Sequence, residues 1–516
     1  MQPIYWFPES SQQPMVVDAM ASLGVSTTFR ICRGDADEYG PSRAAKLSLL
    51  PCRYSRRSVT LKMATQVPST YVSENAEEVA LGGQHVAWTS VRQEKWEGEL
   101  KVDGKIPSWL KGTYLRNGPG MWNIGDHSFK HLFDGYATLV RLHFEDGRLF
   151  AGHRQIESDA YKAATISQKP CYREFSESPK HDNFLAYFGD LACLFSGASL
   201  TDNANTGVVK LGDGRVLCLT ETQKGTIMID PATLETIGRF DYSDNLGGLI
   251  HSAHPIVTDQ EFLTLLPDLI NPGYSVVRMS PGTNERKVIG RVNCRGGPSP
   301  GWVHSFPATT NYVVVPEMPL RYSIMNLLRA EPTPLYKFQW HPESKAFLHV
   351  MCKTSGKTVA SVEVPLFVTF HFINAYECLD DEGSVTAIIA DCCEHNANTT
   401  ILQKLRLENL RSFAGVDVLP DARVARFTIP MDGSPLGKLE SALDPDEHGR
   451  AMDMCSINPE YLGKDTAMHT PVELSVHAIF QILLPKLICL RKGLQVGMRR
   501  EQCRPNLFSC HGQDQR

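Results

Sequence analysis

From His85 onward the chain is written in short β-branched and aromatic runs that break every ten residues or so at Gly, Pro, Asn or Asp, with few helical periods. Runs of that length between turn residues are the pattern of antiparallel strands joined by hairpins. Three hairpins can be placed: Leu142 to Phe150 around Asp146-Gly147, Val208 to Leu219 around Asp213-Gly214, and Phe338 to Val350 around Pro342-Glu343. Asp-Gly suits the positive φ that a tight hairpin turn demands. About 380 residues of such material exceed a single sandwich and fit a β-propeller, in which small antiparallel sheets repeat around an axis. No clean internal repeat is visible, which disfavours the WD and kelch types.

Composition narrows the class further. Hydrophobic residues make up 42% of the 516 and charged ones 21%, so the bulk of the chain can build a large core and is not disordered. Lys plus Arg number 52 against 57 Asp plus Glu, a formal charge of -5, which gives no global basic field to hold nucleic acid. No apolar run is long enough to span a bilayer as a helix; Ser475 to Leu490 is broken by His477, Pro485 and Lys486. The 14 cysteines show no regular C-x-x-C pairs, the usage of reduced thiols in an intracellular compartment.

Residues 1–85 lack a sustained hydrophobic period. Arg43, Lys46, Arg53, Arg56, Arg57 and Lys62 alternate with serines in a stretch without acids, the composition of an organelle transit segment, although Asp35, Asp37 and Glu38 lie just upstream. Two stretches inside the body break the β pattern, Asn183 to Gly197 and Leu320 to Ala330. The second sets Leu320, Ile324, Leu327 and Leu328 at helical spacing beside Arg321 and Arg329. Such a stripe packs on a sheet or lies in a membrane interface, where it admits a lipid-soluble ligand from the bilayer.

Hydrolase, zincin and nucleotide signatures are missing: there is no HExxH, GxSxG or GxGxxG. What stands out is histidine context. Of seventeen, His254 in SAHPIV, His304 in GWVHSF and His371 in VTFHFINAYE sit in apolar or aromatic strings. Burial disfavours imidazolium, so each is expected to be neutral, the state that binds a metal. Separated by 50 and 67 residues, they cannot share a helix or hairpin, but successive propeller blades could aim them at one axis. Hydrogen-bonded core histidines are the competing reading.

The strings LRNGPG, HLFDGYATL, SLTDNANTGVVKLGDGRVLCLTET, SAHPIV, GWVHSF, VVVPEMPLRYS and FHFINAYE together resemble the carotenoid cleavage dioxygenases. FDGYATL, NLLRAEPTPLYKF, IIADCCEHN and HGRAMDMCSINP are similar to the plant branch that makes carlactone, the strigolactone precursor. The resemblance runs from about His85 to Lys464. It implies an all-β, seven-bladed propeller with short helical caps over an axial non-haem Fe(II), held by four histidines without a carboxylate ligand. His254, His304 and His371 match the first three ligands; Glu221 in LTET and Glu440 in GKLES match two of three glutamates that brace the ligand rings. His251 lies outside the pattern, and His131, His395 and Glu317 are read as structural.

The reaction so implied is insertion of O2 across a conjugated double bond, giving two carbonyl fragments; for the carlactone branch the substrate is 9-cis-β-apo-10'-carotenal. Partners are the apocarotenoid, O2 and a monotopic membrane contact, and the location is the plastid. Other carotenoid-cleaving specificities on the same scaffold, or a truncated inactive member, are the alternatives.

After Lys464 the resemblance stops. The expected tyrosine-rich strand, CGAQRPCNFP, SEPFFVPRPG and the LHG that carries the fourth histidine do not follow in frame. Allowed codons for Lys464 to Ala478, read in a shifted frame, give GYRYAYACGAQRPC, and the same shift turns Met498 to Asp514 into EEGAVPSEPFFVPRPG. The expected organisation is therefore a transit segment over 1–85, a propeller over 86–464 whose last blade is incomplete, and a frameshifted tail over 465–516. Such a chain leaves sheet edges unpaired, and its activity is expected to be impaired.

Overall fold

Five larger antiparallel sheets follow one another along residues 95–441, accompanied by the two-stranded ladders Asn123–Ile124 with His127–Ser128 and Leu320–Tyr322 with Phe338–Trp340. The computed structural model describes residues 88–465 apart from 103, 180–182, 196, 247–249, 330–332, 413–421, 445–452, 455–456 and 458–461; ahead of these it describes the short strands Trp6–Phe7, Val17–Ala21, Thr27–Ile31 and Val59–Leu61. The rest of the expected transit segment, and the tail beyond residue 465, lie outside the described residues.

The first sheet is built on Lys95–Leu100, Gly112–Met121, Tyr136–Glu145 and Arg148–Gln155. The second joins Gly207–Lys210, Val216–Leu219, Ile227–Ile229 and Thr236–Arg239 in sequence order. The third runs through Ile256–Val257, Phe262–Asp268, Gly273–Met279 and Arg286–Asn293. Tyr312–Glu317, Ala346–Cys352 and Thr358–Val364 make the fourth, and Thr369–Leu379, Val385–Glu394, Arg423–Pro430 and Lys438–Ser441 the fifth. Within the fifth sheet burial falls with strand order: the first eight residues of Thr369–Leu379 are buried on both faces, whereas three of four in Lys438–Ser441 are exposed. A strand buried on both faces reads as a continuous apolar run rather than an alternating one, which is why FHFINAY resists a period-2 reading. The same decline separates Gly207–Lys210 from Thr236–Arg239, so the first strand of these sheets faces the interior and the last faces water.

Local chemistry explains the turns. Glu145 pairs with Arg148 across Asp146-Gly147, whose φ values of 46° and 77° are both positive, as a two-residue hairpin needs. The Asp213-Gly214 hairpin also forms, with Lys210 opposite Val216 and Gly214 at φ 93°. The hairpin expected around Pro342-Glu343 does not. Phe338–Trp340 pairs with Leu320–Tyr322, Ala346–Cys352 pairs with Tyr312–Glu317, and Pro342–Ser344 is a single 3-10 turn carrying the chain between the two.

The helical stripe expected over Leu320 to Ala330 is also shorter than its spacing suggested. Leu320 and Arg321 are strand residues, and only Ile324–Leu327 is helical, begun where the Asn326 N–H donates to the Ser323 hydroxyl. Arg321 is fully buried, donating to Glu317 Oε1 at 2.8 Å, and so cannot flank a membrane stripe. Glu317 accepts as well from the Arg295 and Gly296 N–H groups and lies 2.8 Å from His349 Nε2, the structural role expected of it.

The ends of the described region come together. Leu132 N–H donates to Leu405 O, Leu407 N–H donates to Lys130 O, and His131 pairs with Arg406. One core cluster joins Trp122 and Tyr136, near the start, to Ile388 and Phe427, near the end. Each fully buried aromatic of this cluster contributes about 1.5–3 kcal/mol of burial, enough for tertiary packing to fix sheets that hairpin propensity alone leaves loose. Among the described residues no helix is long and apolar enough to cross a membrane.

Candidate metal centre

Three successive sheets each deliver one histidine to the same point. His254 precedes Ile256–Val257 by two residues, His304 lies in the extended stretch between the Gly301 and Ala308 bridges, and His371 is the third residue of Thr369–Leu379. The His254 N–H donates to His304 O at 3.1 Å, tying the first two segments together. Ring centroids lie 4.7, 5.0 and 5.1 Å apart, and one nitrogen from each ring falls within 4.8 Å of the others. Trp302 and Phe370 pack edge-on against His304 and shield it from water.

Each ring's second nitrogen decides what the first can do. His304 Nδ1–H donates to Glu221 Oε1 at 2.8 Å, and His371 Nδ1–H donates to Asp453 Oδ1 at 2.6 Å. A carboxylate acceptor on Nδ1 fixes the proton there and leaves the Nε2 lone pair facing inward. His254 Nε2 and His304 Nε2 are 3.0 Å apart. That spacing would let both nitrogens reach one ion. His254 Nδ1 is buried with no hydrogen-bond partner among the described residues. Burial holds His254 well below the usual imidazole range and pulls His371 down to about 4 against the opposing pull of Asp453. Both rings are therefore neutral near pH 7, and the donor set suits an iron ion.

The braces are charged in spite of burial. Burial pushes the Glu221 carboxyl up, but Lys337 Nζ at 3.0 Å and His304 overcome it and hold the group at about 2. Trp302 Nε1–H donates to Glu221 Oε1 at 2.7 Å. Burial likewise opposes ionisation of Asp453, yet His371 and His395, the latter 3.3 Å away, keep it well below the usual carboxylate range.

Glu221 thus lies against the His304 ring, whereas Glu440 does not reach the triad. It lies exposed on Lys438–Ser441, the last strand of the fifth sheet, with Arg426 opposite in register. An edge strand that far out cannot reach a ring on the first strand, and Asp453, in HGRAMDM, takes the bracing position instead. That string was in view, but an aspartate outside regular secondary structure gave no strand signal. His251, with ring nitrogens 2.8 and 3.0 Å from Ser252 O and Thr222 O, and His131, bonded to Leu402 O, are structural as expected.

The triad opens on a cavity of about 890 Å³ whose walls include Phe133, Phe175, Leu266, Tyr336 and Phe370. A largely β fold that converges three buried histidines, two of them braced by carboxylates, on an apolar cavity has the makings of a non-haem metal centre. Residues 88–469 match the family model of the Retinal pigment epithelial membrane protein. The chain is 74% identical over 380 residues to carotenoid cleavage dioxygenase 8 homolog B, chloroplastic, of Oryza sativa subsp. japonica, covering 74% of this chain and 67% of that one. It is 67% identical over 387 residues to carotenoid cleavage dioxygenase 8, chloroplastic, of Arabidopsis thaliana, at 74% and 68% coverage. Among solved structures, cobalt-substituted Synechocystis apocarotenoid oxygenase superposes with a TM-score of 0.59 at 22% identity, over 74% of this chain and 76% of that one. The chain belongs to the carotenoid cleavage dioxygenases, iron-dependent enzymes on a seven-bladed propeller, and its relatives place it in the chloroplast.

Proposed function

We propose that His254, His304 and His371 hold Fe(II) and that the enzyme cleaves a conjugated double bond of 9-cis-β-apo-10'-carotenal on the way to carlactone. The observation that carries the reading is the braced triad opening on an apolar cavity of about 890 Å³, large enough for an extended polyene. Bound there, iron supplies the activation of O2 that a carbon–carbon double-bond cleavage requires. The protein's part is to hold the Nε2 lone pairs of His304 and His371 in place through Glu221 and Asp453, to seat the polyene against Phe133, Phe175, Tyr336 and Phe370, and to keep bulk water out.

Entry of so insoluble a substrate is read from the rim. Leu246, Ile270 and Ile324 line the cavity and are also exposed, and Leu185, Phe188 and Met325 expose further apolar surface. We read these as a monotopic membrane contact that lets the apocarotenal pass from the bilayer into the cavity.

The change of frame near Lys464 belongs to the same proposal, since the resemblance implies a fourth histidine downstream of it. The test is incubation with 9-cis-β-apo-10'-carotenal under 18O2 and mass spectrometry of the products, for the 516-residue chain and for one continuing after Lys464 as GYRYAYACGAQRPC. Labelled carlactone from the restored chain, with little from the other, is expected. Cleavage at a different bond would transfer the chain to another carotenoid specificity, and an inert restored chain would overturn the reading.

A further inference from the structure

Lys337 places an ammonium group on the wall of an otherwise largely apolar cavity. Its Nζ is 3.0 Å from Glu221 Oε2, while the other oxygen of that carboxylate accepts from Trp302 Nε1 at 2.7 Å and His304 Nδ1 at 2.8 Å. The cation also lies over the rings of Phe175 and Phe338, 5.0 and 5.5 Å from their centroids. This placement is built into the backbone. Tyr336, immediately before it, has φ 55°, a left-handed conformation that a bulky aromatic seldom adopts, and is held there by its N–H donating to Thr333 O at 2.9 Å. Lys337 O in turn accepts from Ser323 N–H at 2.9 Å.

The two braces of the triad are thereby held differently. Asp453 has an imidazole near each oxygen, His371 and His395. Glu221 has both ring donors on Oε1, and Lys337 holds Oε2. Removing one partner of a buried ionic group leaves the other uncompensated and free to reorient. A carboxylate that reorients no longer fixes the ring it braces, and the groups behind metal ligands tune affinity strongly.

We propose that Lys337 is a positioning residue of the metal centre: its ammonium pins the Glu221 carboxylate across the His304 ring and so sets metal affinity from outside the ligand set. This rests on the metal reading above. The test uses Co(II) alone as the probe, titrated into the full chain freed of metal by a chelator, with the visible ligand-field bands giving both affinity and geometry. For Lys337→Met the expected result is Co(II) binding weakened by roughly 10- to 100-fold with shifted bands; Lys337→Arg, which keeps a cation on Oε2, recovers most of the affinity. Thermal melting of the metal-free variants separates this from general damage, since a positioning role leaves it near wild type. Wild-type affinity and bands in Lys337→Met overturn the proposal, as does an equal loss in the Met and Arg variants. A wild-type chain that binds no Co(II) overturns the metal reading itself, a distinguishable failure.

Discussion

Two carboxylates carry the residue-scale logic of the centre, each ionised only because cations or ring N–H groups surround it. Asp453→Asn keeps the shape but gives His371 a weaker acceptor, so metal affinity is expected to fall about 10- to 100-fold, read by competition with a chromogenic chelator. Glu440→Gln should leave metal content and turnover at wild-type levels, because Glu440 is exposed on an outer strand; a loss there would restore it as a brace. A third test concerns Asp134, buried beside the cavity wall and bonded to the N–H and hydroxyl of Ser176. Burial pushes its carboxyl up to about 7. Between about 3.9, its unfolded value, and 7 the folded state therefore holds the extra proton, so its stabilisation is full at low pH and is lost as pH rises through 7. Asp134→Asn abolishes that loss, and its urea midpoint should climb more steeply than wild type's from about pH 5 to 7.5; parallel profiles would contradict this. The three histidines were legible because each sits in an apolar or aromatic string that announces burial. Asp453 was not, because its partner is 82 residues away and pairing across that distance is decided by the closed fold.

Elements were legible where the turn chemistry was local. Asp146-Gly147 fixes its own hairpin through two positive φ values, and no distant contact is needed. Pro342-Glu343 looks equally turn-like, yet the strands on its two sides belong to different pairings, because Phe338–Trp340 finds a better partner in Leu320–Tyr322. The same pairing converts half of a helical stripe into a strand and carries Arg321 inward to Glu317. Arg321→Met would leave the Glu317 carboxylate buried without its cation, at a cost of about 3–5 kcal/mol. Chemical denaturation should show that loss as a lower midpoint; a change under 1 kcal/mol would mean that His349 and the two N–H groups suffice to satisfy Glu317.

At the scale of the whole molecule, closure is the property that a pass along the sequence could name but not locate. Contacts such as Leu132 to Leu405 join segments more than 250 residues apart, and they hold the sheets that bring the three histidines together. The apolar rim draws on the same arrangement: Ile270 lines the cavity and is exposed, while Phe188 and Met325 are exposed on Phe184–Phe195 and Ile324–Leu327, the helices that give Leu194 and Leu327 to the cavity wall. Replacing these three by serine should reduce co-sedimentation with liposomes of chloroplast-like galactolipid by several-fold while metal content stays unchanged; undiminished sedimentation would remove the membrane contact. The measurement that bears most directly on the whole is iron stoichiometry after anaerobic reconstitution, comparing wild type with His304→Ala and with the triple variant lacking His254, His304 and His371. The expected result is one iron per wild-type chain, loosely held by His304→Ala and lost from the triple variant. Stoichiometric iron in the triple variant, or none in the wild type, would contradict the assignment of the centre.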